Sequence, residues 1–62
     1  MKKNDLLKKL HKLGCEFVRH GGNHDFYRQP KTGKSQPIPR HREIKEMLAK
    51  KIIRHLDPNQ SE

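Results

Sequence analysis

Apolar positions first recur at helical spacing near the start of the chain, at Leu6, Leu7, Leu10 and Leu13. Asn4 is a favourable N-cap residue, and Asp5 places an acidic side chain in the first turn, where the helix dipole favours it. Gly14 is typical of the left-handed residue that follows a helix end. The pattern predicts a first helix between Asn4 and Gly14, with a leucine stripe toward the core and lysines toward water.

After Gly14 the period shortens to two residues. Over residues 15–20, Cys, Phe and Arg alternate with Glu, Val and His, which predicts a strand. Gly21 and Gly22 follow, and glycine permits the positive φ values of a tight hairpin turn. Residues 24–29 then form the predicted return strand.

The turn determines which residues face one another in this hairpin. With a two-residue loop, Arg19 faces His24, and Phe17 faces Phe26 as a cross-strand core pair. The same parity turns His24 toward the core side of the sheet. Two arrangements would still expose it: a position at the sheet end, where helix cover is thin, or a glycine bulge that reverses its direction.

Prolines mark the third extended segment. A turn over residues 30–33 contains proline and glycine in ordinary turn positions, and residues 34–39 predict a third strand with Ile38 as its core anchor. Pro37 and Pro39 have no backbone donor, which restricts this strand to a sheet edge or a short stretch.

A second helical stripe follows residues 40–43. Its members are predicted to share one face: Ile44, Met47, Leu48, Ile52, Ile53 and Leu56. Asp57 and Pro58 end the helix.

The predicted order is helix, three strands, helix, and both helices need one sheet face to bury their stripes. We therefore predict an α+β fold of α-β-β-β-α order, with a three-stranded antiparallel sheet and two helices on one face. A chain of 62 residues forms one domain at most. We expect an ordered core at about residues 4–56 and a polar C-terminal tail at 57–62.

The net charge of the chain indicates which class of macromolecule it binds. Fifteen Lys and Arg against seven Asp and Glu give a net charge of +8, which favours a phosphate backbone as the counter-surface. So small a chain has no room for a deep substrate cavity, and any chemistry must run on a shallow surface against a large substrate.

We expect a cytoplasmic protein with no membrane span, since neither helix is long enough. Cys15 is the single cysteine and is predicted to be a buried small hydrophobe.

His24 is the candidate for acid–base chemistry, because it lies just past the turn formed by Gly21, Gly22 and Asn23. RNA cleavage without metal needs a base for the 2′-hydroxyl, an acid for the leaving oxygen and cations for the phosphate. Candidates for the cations are Arg19, Arg28, Lys34 and Arg40. No second proton-transfer group is obvious, since Tyr27 points to the other sheet face and His41 reaches the site only if the third strand ends beside the hairpin.

These motifs also have ordinary interpretations. A glycine pair is first of all a hairpin turn, and a histidine beside it is structural or merely exposed in most proteins. His20 and His24 are four residues apart, which is a metal-ligand spacing on a helix but has no such meaning across a turn. No carboxylate or cysteine cluster completes a site, so we expect no metal and no cofactor.

Three segments, in order, together resemble a known family. They are Gly14-Cys15-Glu16-Phe17-Val18-Arg19 after a leucine-rich helix, Gly22-Asn23-His24, and Pro39-Arg40-His41 before an Ile/Leu helix. This pattern, from about Asp5 to Leu56, resembles the HicA toxins, small mRNA interferases of bacterial HicA–HicB toxin–antitoxin pairs.

The resemblance implies a double-stranded-RNA-binding-domain-like fold, ribosome-independent cleavage of single-stranded mRNA and a cognate HicB antitoxin that covers the catalytic histidine. That histidine falls on His24, with Gly22 two positions before it. Family members often carry serine where this chain has Asn23. His41 matches the second motif histidine; helix capping or packing is one role for it, and RNA contact or proton transfer is the other.

Two other functions use the same features. A noncatalytic RNA- or DNA-binding module would explain the charge and the element order, and it would bind with steep salt dependence and leave its ligand intact. A protein-interaction domain for an acidic partner would use the same lysines and arginines.

Overall fold

In the computed structural model, which describes residues 1–59, the elements follow the predicted order. They are α1 (Lys3–Lys12), β1 (Glu16–Gly21), β2 (His24–Arg28), β3 (Ser35–Pro39) and α2 (Glu46–Leu56). The strands form one antiparallel sheet in the order β1-β2-β3. The predicted α-β-β-β-α fold is confirmed. Of the predicted tail, residues 60–62 lie outside the described residues.

The start of α1 is held by backbone pairing rather than by a capping side chain. Lys2 is the N-cap residue and makes no side-chain cap hydrogen bond, so the predicted cap at Asn4 is wrong. Lys2 instead forms an antiparallel bridge with Glu43, and the Lys3 amide donates to the Arg42 carbonyl at 2.8 Å. The segment before α2 thus satisfies one of the free backbone amides at the start of α1.

The hairpin turn lies one residue later than predicted. Gly21 is the last residue of β1 and pairs with His24, so the two-residue turn is Gly22-Asn23. Gly22 has a φ of +55°, a left-handed conformation that glycine adopts without strain. Gly14, at a φ of +88°, ends the α1 segment as predicted.

A bulge in β1 changes which residues share a face. Phe17 pairs with Tyr27 and Arg19 pairs with Phe26, which leaves Val18 without a partner on β2. The predicted pairs of Arg19 with His24 and of Phe17 with Phe26 are therefore wrong. The extra residue also reverses the expected alternation, so Phe17 and Arg19 point to opposite faces of the sheet.

The face of β2 that packs on the helices carries Asp25 and Tyr27. Asp25 is buried, and Tyr27 packs against the apolar core. Side chains alternate along a strand, so His24, Phe26 and Arg28 lie on the opposite, open face. The predicted core-side orientation of His24 is wrong, because it rested on the incorrect cross-strand pairs. Tyr27 does point away from the His24 face, as predicted.

The core lies between this sheet and the two helices. Its buried members are Leu6, Leu10, Cys15, Ile38, Ile44, Ala49, Ile52 and Leu56. Ile44 precedes α2 and therefore does not follow its helical period. Met47, predicted on the buried face, is 75% exposed because the buried stripe of α2 runs through Ala49 and Ile52 instead.

The edges of the sheet are β1 and β3. The predicted edge position of the proline-containing strand is confirmed, since β3 pairs with β2 alone among the described strands. Within residues 1–59, no helix has the length and apolar content needed to cross a membrane.

A buried amide joins the ends of the two helices. Gln29, just past β2, is 1% exposed. Its Nε2 donates to the Leu13 carbonyl at 2.9 Å and to the Leu56 carbonyl at 3.0 Å, while its Oε1 accepts from the Lys31 amide at 3.2 Å. Leu13 follows α1 and Leu56 is the last residue of α2, so neither carbonyl has an intrahelical donor.

Candidate active site

The open face of the sheet presents a histidine, an aromatic ring and two arginines. His24, Phe26 and Arg28 come from alternate positions of β2, and Arg19 stands opposite Phe26 on β1. His24 and Arg19 are exposed, and Phe26 is half-buried. The site is shallow and faces solvent, as expected of a chain this small.

Gly21 makes room for the packing beside His24. The Arg19 guanidinium carbon lies 4.3 Å from the centre of the Phe26 ring, a cation–π contact. A Cβ at Gly21 would meet the Phe26 ring edge at 2.6 Å and an Arg19 guanidinium nitrogen at 2.8 Å. Both groups therefore cover the position that a side chain at residue 21 would occupy.

Arg28 is held differently. Its Nη1 donates to the Glu16 carboxylate at 2.8 Å, and both side chains are about half exposed. The pair lies at the other end of β2 from His24. Part of the Arg28 charge is thus already neutralised by a neighbour on the same face.

Asp25, next to His24 in sequence, accepts three hydrogen bonds on the opposite face. His20 Nδ1 lies 2.7 Å from Oδ1, Arg40 Nε lies 3.0 Å from the same oxygen, and Lys3 Nζ lies 3.2 Å from Oδ2. These residues come from α1, β1, β2 and the segment after β3. The Asp25 cluster, as we call Asp25, Lys3, His20 and Arg40, therefore fastens four parts of the chain at the hairpin end.

The ionised form of Asp25 is strongly favoured. The pKa of Asp25 is lowered to about 2, mainly by the hydrogen bond from His20 and also by those from Lys3 and Arg40, although burial acts in the opposite direction. Arg40 Nη2 also lies 2.8 Å from His20 Nδ1. A carboxylate can only accept, so we assign the Nδ1 proton to the bond with Asp25. The contact between Arg40 Nη2 and Nδ1 is then not a hydrogen bond, because both groups are donors.

The end of β3 lies beside the hairpin turn. Pro39 is the register partner of His24, and the Arg40 amide donates to the Asn23 carbonyl at 3.3 Å. We predicted that His41 could reach the site only if the third strand ended beside the hairpin, and β3 does end there.

A cationic groove opens next to this end of the sheet. It has a volume of about 460 Å³ and is lined by Lys2, Lys3, Asn4, Arg40, His41, Arg42 and Glu43. Glu43 contacts the Met1 amino group at 3.0 Å, and Asp25 holds Lys3 and Arg40. Lys2 and Arg42 have no carboxylate within ion-pair distance in the described part of the chain.

Lys34 lies away from these groups. Its carbonyl accepts from the Gln29 amide at 2.8 Å, in the turn at the Arg28 end of β2. It shares a shallow surface with Lys51, Arg54 and His55. The structure therefore brings Arg19, Arg28, Arg40 and His41 to the sheet and its hairpin end, and it leaves Lys34 at the other end.

Other titratable groups offer no second site. Cys15 is buried and burial raises the pKa of its thiol, so it is poorly suited to act as a nucleophile. Within residues 1–59, no three His, Cys, Asp or Glu side chains are grouped as a metal site would require.

The Asp25 cluster and the Phe26 contact were not predicted from the sequence. A signal for the first was present: a strand aspartate must be paired when buried, and His20 is a hydrogen-bonding side chain near it across the turn. The Phe26 contact depends on the Val18 bulge, which carries no clear mark in the sequence.

The model of the family described as the HicA toxin of bacterial toxin–antitoxin systems matches residues 4–57. The match includes the hairpin with His24, the segment with Arg40 and His41, and all of α2. It confirms the resemblance found in the sequence. No curated protein and no solved structure matches the chain significantly.

Proposed function

The chain belongs to the HicA toxin family of bacterial toxin–antitoxin systems, and we propose that it acts as a metal-independent, ribosome-independent endoribonuclease on mRNA. Its role as the toxin of such a pair follows from the family. The proposal adds a reaction and assigns one residue to it. We place this activity in the cytoplasm, on single-stranded RNA.

His24 is the proposed general acid–base group. In the reaction, the 2′-hydroxyl loses its proton, its oxygen bonds to the adjacent phosphorus, and the bond from phosphorus to the 5′-oxygen breaks. The leaving oxygen takes up a proton, and the upstream fragment ends in a 2′,3′-cyclic phosphate. An exposed imidazole is suited to either proton transfer, because its ring nitrogens can both accept and donate a proton.

One observation carries this proposal. His24 is exposed on the open face of the sheet, beside the end of β3 and near a cationic groove. A polymer substrate can reach an imidazole in that position without a conformational opening. A histidine with only a structural role would more commonly be packed or hydrogen-bonded, and the described residues contain no hydrogen-bond partner for the His24 ring.

We also propose RNA contacts for the cationic residues. Arg19 and Arg28 would act on the open face, and Arg40 and His41 would act at its hairpin end. Lys34 could contact RNA only if the strand extended along the whole of β2. We propose that the turn Gly22-Asn23, with Gly21 paired to His24 from β1, presents this histidine; Asn23 also holds Arg40 through its carbonyl.

The test is cleavage of a single-stranded RNA by the purified protein in the presence of EDTA. His24→Ala should lower the rate by roughly a hundredfold or more, the usual size of an acid–base contribution. His11→Ala is the matched control, because His11 is an exposed histidine on α1. The products of the wild-type protein should carry a 2′,3′-cyclic phosphate or the 3′-phosphate formed by its hydrolysis.

Equal cleavage by wild type and His24→Ala would contradict the assignment. Binding without any cleavage would favour the alternative, a noncatalytic RNA- or DNA-binding module. The net charge of +8 supports that alternative equally well, so the His24 variant is the comparison that separates the two.

HicA toxins pair with HicB antitoxins, and we propose that a cognate HicB-type partner neutralises this chain by covering His24. Its surface should be acidic, to complement the arginines and lysines around the hairpin. Expression of the chain alone should arrest growth, and His24→Ala should relieve the arrest. Growth arrest by the alanine variant would separate toxicity from the proposed chemistry.

A further inference from the structure

We propose that Arg19 and Phe26 form a stacking platform for one base of the RNA strand, so that Arg19 contacts a base rather than a phosphate. The ligand is single-stranded RNA, and in that respect the inference rests on the proposed function. The platform is the outer face of the Arg19 guanidinium, supported from below by the Phe26 ring.

The packing holds the guanidinium in place. Its central carbon lies 4.3 Å from the centre of the Phe26 ring, and one of its nitrogens lies over the backbone of Gly21. The Val18 bulge is what brings Arg19 to this face, since regular alternation would place it with Phe17 on the other one. Three local features therefore combine to support one planar cation.

The environment of Arg19 differs from that of the other two arginines near the sheet. Arg28 pairs with Glu16 and Arg40 pairs with Asp25, whereas Arg19 has no carboxylate within ion-pair distance among the described residues. An aromatic ring fixes the guanidinium without neutralising it. Its exposed face is thus still available to a ligand.

Such a surface suits a nucleobase. Unpaired bases in protein–RNA complexes stack on aromatic rings and on arginine guanidinium planes, and this stacking tolerates any base because every base has a π face. A phosphate would instead be bound by the nitrogen edge of the guanidinium, and lysine could substitute there as a point charge.

The platform also lies at a useful distance from His24. Phe26 is two residues along β2, which corresponds to roughly 7 Å of strand. Both side chains lie on the same face. A base stacked on Arg19 would therefore place the neighbouring backbone close to the imidazole, and Arg19 would act as a positioning residue.

The experiment measures binding without cleavage. The probe is a labelled oligoribonucleotide with 2′-O-methyl riboses, which cannot undergo 2′-hydroxyl attack, together with a series that lacks one base at successive positions. Arg19→Lys keeps the charge and removes the plane, and Phe26→Leu removes the support. Arg54→Lys on α2 is the charge-matched control, and thermal melting checks that each variant folds.

For the wild type, removal of one particular base should weaken binding by roughly tenfold. Arg19→Lys should bind the intact oligonucleotide roughly tenfold more weakly and should lose this sensitivity to the missing base. Phe26→Leu should act in the same direction, and Arg54→Lys should bind like the wild type.

Binding by Arg19→Lys at wild-type strength, with loss only in Arg19→Ala, would identify a phosphate contact and overturn the platform. Uniform sensitivity to every missing base, unchanged by Arg19→Lys, would overturn it as well. Base-dependent binding without cleavage of natural RNA would support the platform and contradict only the proposed nuclease. Failure of the wild type to bind any RNA would overturn both.

Discussion

His24 and Asp25 are neighbours in the chain, yet they serve opposite faces of the sheet. His24 faces solvent, whereas the Asp25 carboxylate is buried and accepts hydrogen bonds from Lys3, His20 and Arg40. Because β2 alternates, fixing Asp25 toward the helices also fixes His24 toward the open face. The buried carboxylate thereby contributes to the exposure of the proposed catalytic group without touching it.

The pKa of Asp25 predicts an acid-sensitive contribution to stability. Its folded value of about 2 lies below the ordinary 3.8, so the carboxylate stabilises the fold fully above about pH 3.8 and loses that effect as the pH falls toward 2. Asp25→Asn should therefore melt well below the wild type at pH 5, and the difference should shrink toward pH 2. Thermal melting followed by circular dichroism over this range checks the expectation.

Asp5→Asn is the control for that series. Asp5 is exposed in the first turn of α1 and accepts no side-chain hydrogen bond from the described residues, so its effect should stay small at each pH. If the difference between wild type and Asp25→Asn stayed constant from pH 5 to pH 2, the carboxylate could not be responsible for it.

At this scale the sequence indicated His24 as the candidate site residue but did not predict which face of the sheet it occupies. His24 stood out because it follows a glycine turn in a basic chain. Its orientation depends on the true turn, Gly22-Asn23, and on the bulge at Val18, which together set the cross-strand pairs. Either glycine can take the first position of a two-residue turn, and the bulge has no clear mark in the sequence, so alternation counted from the sequence alone gave the wrong face.

Among the elements, Gln29 is the polar link between the two helices. Its amide donates to the Leu13 and Leu56 carbonyls, which follow α1 and close α2. The side chain is almost completely buried. No other side chain in the described part of the chain hydrogen-bonds to both of these carbonyls.

Gln29→Leu should therefore destabilise the fold by about 2 kcal/mol, because it removes the side-chain amide donor of the Leu13 and Leu56 carbonyls and the acceptor of the Lys31 amide. In a domain this small, that corresponds to a fall in melting temperature of roughly 10 °C. Gln36→Leu is the matched control. Gln36 lies on edge strand β3, and among residues 1–59 its side-chain amide bonds only to the adjacent Pro37 carbonyl, at 3.4 Å.

The control variant should change the unfolding free energy by less than about 0.5 kcal/mol, as surface substitutions usually do. Equal effects of the two substitutions would show that the Gln29 hydrogen bonds are not a specific source of stability. Urea or thermal unfolding monitored at equilibrium gives the comparison.

The order and kind of the elements were predictable, because apolar periods of about 3.6 and 2 residues are local properties of the chain. The residues at which the elements begin and end were less predictable. The start of α1 is fixed by backbone pairing with residues near position 43, and α2 begins at Glu46 rather than before Ile44. Contacts between residues that are far apart in the sequence set these helix boundaries, and no local sequence pattern indicates them. The Gln29 link is likewise visible only once both helix ends are placed.

For the whole molecule, two cationic surfaces lie at opposite ends of the sheet. One end has the groove with Lys2 and Arg42, beside the hairpin that carries His24. The other end has Lys34 with Lys51 and Arg54. The sequence predicted a phosphate-binding surface, but composition alone could not say which end forms it.

We expect the hairpin end to bind the phosphates, and salt dependence can test this. The double variant Lys2→Gln/Arg42→Gln and the double variant Lys51→Gln/Arg54→Gln each lower the net charge by two, from +8 to +6. If the first pair contacts two phosphates of a single strand, the slope of log Kd against log salt should fall by about 1.4 in that variant. The second variant should keep the wild-type slope. Anisotropy titrations of the 2′-O-methyl oligonucleotide at several KCl concentrations give both slopes. Equal decreases in slope in the two variants would indicate that the RNA responds to the overall positive charge of the molecule rather than to one end. A larger decrease in the second variant would place the phosphates at the Lys34 end, away from His24.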